Sequence, residues 1–191
     1  MADNNTADVT NSKGINGGYA FSAPVGSTYD TGSNPFADLG TSFDNLGFIS
    51  SDGIEEEIDN DADNVTDLSG DVVYVVKAST TETLTFTLMS VTEASLKEWY
   101  GHDNVEVESS YIEVDHTVKE HENRCYLFDL VLKDGRRWRK VVPNGIVSEV
   151  GSITYASGEV TSREITVTCM PDADGVRMYD YIEKTTTTTG N

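Results

Sequence analysis

Glu82-Thr83-Leu84-Thr85-Phe86-Thr87-Leu88-Met89 alternates without a break: Leu84, Phe86 and Leu88 share one side, and Thr83, Thr85 and Thr87 share the other. Successive side chains of an extended chain point to opposite faces, so this stretch predicts a half-buried β-strand with an apolar face and a hydroxyl face. Strand signals continue outward from it. Residues 72–76 are a continuous β-branched and aromatic run, which predicts a strand covered on both faces. Residues 126–133, Asp134-Gly135 and residues 136–142 predict a hairpin turning at Asp-Gly. Pro143-Asn144-Gly145 is expected to end its second strand. Further strands are expected over 146–150, 159–170 and 176–182, with Pro171-Asp172-Ala173-Asp174-Gly175 as a turn between the last two. One helix interrupts them. Thr92 suits its N-cap, Glu93 its positive end, Leu96, Trp99 and Tyr100 its apolar stripe, and Gly101 its stop. The fold class that follows is mainly β: a β-sandwich or open barrel of antiparallel strands with one short flanking α-helix.

Composition bounds the rest. A chain of 191 residues suits one domain. Residues 1–18 and 183–191 are polar and nearly free of apolar side chains, which predicts flexible arms either side of a folded part at 19–182. At 37% hydrophobic and a mean hydropathy of −0.37, no stretch approaches the roughly 20 apolar residues of a membrane-spanning helix, and no membrane partner is expected. Met1-Ala2-Asp3-Asn4-Asn5 lacks the basic and apolar regions of a secretory signal, so synthesis without signal-directed export is expected. Thirteen Lys and Arg face 33 Asp and Glu, giving a net charge of −20 and a pI near 4.2, which opposes tight binding to phosphate backbones. The same charge suits a surface that nucleic acid passes without sticking. Cys125 and Cys169 lie in apolar runs and read as buried thiols.

The most unusual segment, 52–71, carries Glu55, Glu56, Glu57, Asp59, Asp61, Asp63 and Asp67 and no Lys or Arg. It predicts a long, self-repelling loop at about 54–70. The alternation of Asp59, Asp61 and Asp63 resembles the start of a calcium loop, but Asn64 stands where that turn needs Gly and Gly70 where it needs a bidentate Glu, so no metal site is expected. The three histidines have no zinc spacing, and neither a Gly-x-Ser-x-Gly elbow nor a phosphate loop occurs. No catalytic residue, cofactor or enzymatic activity is expected. The scarce positive charge gathers at Lys133, Arg136, Arg137, Arg139 and Lys140 around Trp138. This hairpin reads either as a solvated face or as the complement of the acidic loop in a head-to-tail contact between copies.

Several phrases in fixed order resemble the major tail tube proteins of siphophages: the 18–26 opening, Leu46-Gly47-Phe48-Ile49-Ser50-Ser51-Asp52-Gly53-Ile54, the acidic segment, Gly70-Asp71, the 82–89 strand, the helix ending at Tyr100-Gly101, the 142–150 phrase, Ser157-Gly158-Glu159-Val160 and the strand from Arg163. That resemblance implies a structural virion subunit that forms stacked hexameric rings, assembled in the host cytoplasm. Its implied partners are further copies of itself, a tape measure protein and tail end proteins. Phage DNA would pass through the lumen without specific binding. The resemblance further implies that the acidic loop is an assembly element and that the flexible ends order on a neighbour; some members of that family append an immunoglobulin-like decoration domain, and from that pattern this sequence is expected to depart after Ile182. Thr83, Thr85 and Thr87 are candidates for the lumen face. Two other readings share the fold: an acidic β-sandwich that binds carbohydrate or calcium, and a tube subunit of a secretion system.

Overall fold

A computed structural model describes residues 9–29 and 34–184, the side chains at 77 and 78 excepted. Its strands are β1 (Ser12–Gly14), β2 (Ala20–Pro24), β3 (Asp44–Asn45), β4 (Ile49–Thr66), β5 (Val72–Leu88), β6 (Val105–Val107), β7 (Ile112–Val114), β8 (Arg124–Leu132), β9 (Arg137–Val150), β10 (Arg163–Cys169) and β11 (Tyr179–Ile182). Helix α1 (Glu93–Tyr100) follows β5. The main sheet is antiparallel in the order β3-β2-β8-β9-β10-β5-β4, with β1 added to β8 and β11 to β9, while β6 and β7 form a separate ribbon. The mainly β architecture with one short helix agrees with the sequence.

Strand β8 organises the interior because both of its faces are covered. Tyr126 and Phe128 enter one cluster with Leu84, Phe86, Leu88, Trp99, Val142, Ile165 and Val167. Cys125 and Leu127 enter a second cluster with Ala23, Phe43 and Val141. The two cysteines therefore lie in different clusters, both free and buried. Burial pushes each thiol up to about 12. Phe86 meets Phe128 edge to face at 5.1 Å, the arrangement that ring quadrupoles favour. The alternation from Glu82 onward is realised: Leu84, Phe86 and Leu88 are buried and the intervening threonines are half-buried.

Helix α1 starts and stops where the sequence places it. Thr92 Oγ1 accepts the Ser95 N–H at 3.3 Å and Ser95 Oγ accepts the Thr92 N–H at 2.9 Å, a capping box with Ser in the third position. Gly101 closes it by donating its N–H to Lys97 O.

Several expectations are corrected. The 54–70 segment is no loop: β4 is an 18-residue strand paired with β5, and only 67–71 turn. Residues 72–76 are not covered on both faces; they are exposed, from 41% at Val76 to 65% at Tyr74. Pro143 does not end β9. It sits after the last rung with β11, at Val141, and before the first with β10, at Gly145, so its missing N–H interrupts neither ladder. Gly145 is there for closeness, since a Cβ would lie 2.7 Å from Val167 Cγ1 and 3.1 Å from Tyr126 Cδ2. Strand β10 covers only 163–169 of the expected 159–170, and the last strand begins at Tyr179, not at 176. Within the expected N-terminal arm, Ser12–Gly14 pair with Leu130–Leu132 as β1; residues 1–8 of that arm and 185–191 of the C-terminal one lie outside the described residues.

Candidate assembly site

The outward face of the sheet is polar because the strand alternation leaves it so. Thr85 stands opposite Thr166 of β10 and Glu55 of β4, Thr83 opposite Thr168 and Glu57, and Thr87 opposite Glu164. Directly opposed residues share a face. Thr85 Oγ1 and Thr166 Oγ1 hydrogen bond at 3.0 Å, and Thr168 Oγ1 donates to Ser148 Oγ at 2.8 Å. Four strands thus present hydroxyls and carboxylates together, without a Lys or Arg among these residues.

Beyond this face the β4–β5 pair leaves the body. Strand β10 ends at Cys169, opposite Glu82, so from there outward β5 has only β4 beside it. The pair runs on to Thr66 and Val72, about 27 Å from Ile58 at roughly 3.4 Å per residue. Asp59, Asp61 and Asp63 follow Glu55 and Glu57 along alternate positions of β4, strung out rather than gathered round a point. Among the described residues no group of His, Cys, Asp and Glu could hold a metal ion. Asp67 is a turn former: its Oδ1 accepts the N–H groups of Ser69 and Asp71, each at 2.9 Å. Exposed Ile58, Val65, Leu68 and 72–76 make this arm apolar as well as acidic.

The basic hairpin divides by burial. Arg139 is 2% exposed and bridges Asp129 through Nε and Nη2, each at 2.6 Å, while Nη1 donates to Pro35 O and Ala37 O. Lys140 is also buried, and its Nζ donates to Glu56 Oε2 at 2.7 Å and to Asp180 Oδ2 at 3.0 Å. The acidic segment and the basic hairpin do meet, but at Glu56–Lys140 they meet within one chain. Arg139 and Lys140 are therefore withdrawn from any contact between copies. Arg136 pairs with Asp134 beside it, and Arg137 lies over the Phe36 ring.

A buried polar cluster escapes sequence reasoning. Glu98, on the inner side of α1, accepts from Ser22 Oγ and Tyr126 Oη, each at 2.7 Å, with His102 Nε2 at 3.5 Å. Burial opposes its charge, yet His102, Tyr126 and Ser22 outweigh burial and hold its carboxyl below the ordinary 4.5. Arg124 links Ser22, Asp44 and Glu122 around it. The cluster fastens the helix to β2 and β8. Only its position one residue before Trp99 hinted that Glu98 faces inward.

The sequence profile described as phage tail tube protein matches residues 1–190. The chain belongs to the phage tail tube protein family. No curated protein matches it. Among solved structures this tail tube protein is similar to the anti-feeding prophage cap that terminates its tube, at 13% identity over 93% of this chain and 98% of that one, with a TM-score of 0.44. It is also similar to a chain of the PVC sheath–tube complex of an extracellular contractile injection system in the extended state, at 12% identity over 88% and 92%, with a TM-score of 0.43. A third is the PVC sheath/tube terminator, at 13% identity over 88% and 97%, with a TM-score of 0.42. As a tail tube protein it is a structural component of the virion, and the exposed arm and polar face are its candidate working surfaces.

Proposed function

We propose that this chain is the major tube subunit of a siphophage tail, forming stacked hexameric rings around a channel through which DNA is ejected, with no catalytic step. The observation that carries the proposal is the arm. A two-stranded ribbon exposing Val72, Val73, Tyr74, Val75 and Val76 over both faces leaves apolar surface and strand edges in water, an arrangement that invites pairing with another chain. In a homopolymer the natural cover is the neighbouring copy. The face bearing Thr83, Thr85, Thr87, Glu55 and Glu57 lines the channel, where carboxylates repel phosphates and hydroxyls hold water, so DNA slides without a binding minimum. Assembly takes place in the host cytoplasm, with a tape measure protein and tail end proteins as further partners. Negative-stain microscopy tests this with the purified chain and a variant whose residues 60–79 are replaced by a two-residue turn. Tubes or rings of uniform diameter from the first and monomers from the second are expected. A persistently monomeric full chain at high concentration, or tubes from the armless variant, would overturn the proposal.

A further inference from the structure

We infer that the basic cleft beside the 133–136 turn receives the acidic arm of a second copy of this chain, through Asp59, Asp61 and Asp63. The inference rests on the tube reading and adds to it the seat of the arm. The cleft has a volume of about 660 Å³ and is lined by Lys13, Lys133 and Arg137 together with Asn11, Asn16 and Val131, among other residues, with no Asp or Glu in its described lining. In a chain of net charge −20 that is an unusual concentration of one sign. The β registers explain it: Lys13 stands opposite Val131, and Val131 opposite Arg137, so both cations occupy one rung of one face. Two strand spacings of ~4.8 Å separate them, close enough for one anion-bearing strand to face both.

Nothing described within the chain supplies that anion. Lys13 and Lys133 make no ion pair among the described residues, and Arg137 Nε is buried without a hydrogen-bond partner. The adjacent carboxylates are turned elsewhere, Asp134 to the Arg136 guanidinium and Glu183 to the backbone N–H of Arg137. Asp59, Asp61 and Asp63 recur every ~6.7 Å along one face of an extended strand, so the arm can set more than one carboxylate in the cleft. They also lie beyond the end of β10, on the part of the chain that reaches outward. A polar, desolvated contact of opposite charge sets partner and register more than raw affinity, which suits a subunit that must dock in one orientation.

Charge reversal separates the possibilities. The Lys13→Glu/Lys133→Glu variant, and a second that adds Arg137→Glu, are compared with Asp59→Lys/Asp61→Lys/Asp63→Lys and with the combination of both reversals, by sedimentation and microscopy over a concentration and salt series. Lys13 and Lys133 are exposed, so the double variant keeps the native circular dichroism and melting profile. Each single-side reversal is expected to raise the concentration needed for tubes roughly tenfold or more. The combination is expected to restore most of it. Cleft-reversed tubes that form at the original concentration and salt dependence would overturn this seat while leaving the tube reading intact, whereas absence of tubes from the unaltered chain would sink the tube reading itself. A combination no better than either side alone, or duplex DNA binding lost on cleft reversal, would show that the arm is not the occupant.

Discussion

Two buried charges fix how the helix and the loops sit on the sheet. Glu98 is held ionised by two hydroxyl donors and His102 although it is out of water. Because its folded value lies below the ordinary 4.5, its contribution is fully present above that pH and is lost as pH falls through the lower folded value. Glu98→Gln is expected to cost about 3 kcal/mol at neutral pH, since charged hydrogen bonds are lost and buried hydroxyls are left poorly paired. In acid the same substitution should cost much less, so urea denaturation at pH 7 and pH 3 checks both size and sign; an equal penalty at the two pH values contradicts a charged Glu98. The Arg139–Asp129 bridge was one residue beyond the reach of the sequence. A two-residue turn at Asp134-Gly135 would pair 133 with 136 and set 129 opposite 140, whereas the turn takes in Lys133 as well, pairs 131 with 137 and sets 129 opposite 139. Glu98 was hidden for another reason, because a helix eight residues long gives too little periodicity to show which side the packing turns inward.

At the scale of elements, legibility follows what a residue's neighbours in sequence can report. The 82–89 strand and the capped helix carry their own pattern, and both are found as expected. The β4 strand does not: its carboxylates repel one another, and only pairing with β5 on the far side of a turn makes it a strand. Apolar residues at 72–76 signalled cover without saying who provides it. If that cover is another copy, Val73→Asp/Val75→Asp should leave the melting temperature of the monomer nearly unchanged and abolish tubes, read by calorimetry beside sedimentation. A large loss of monomer stability would place those valines in an intramolecular core instead. The threonine face makes a different demand. Thr83→Lys/Thr85→Lys/Thr87→Lys should still assemble, yet phage carrying it should eject DNA roughly tenfold more slowly, because a cationic channel wall binds phosphate. Unchanged ejection kinetics with intact tails would remove these residues from the channel.

For the whole molecule, the division of labour is a packed two-cluster body, an arm that leaves it, and one polar sheet face. Residue pattern and composition reach an acidic, mainly β domain with no recognised catalytic motif, and the family profile over residues 1–190 supplies the tail. Where the surfaces point depends on relations between copies, which a single chain does not encode locally. Electron cryomicroscopy of the assembled protein tests the central claim most directly. Stacked rings of six are expected, with Thr83, Thr85 and Thr87 on the channel wall and the 58–76 arm seated on an adjacent copy. Rings of another symmetry with the threonine face outward, or an arm touching nothing, would contradict it.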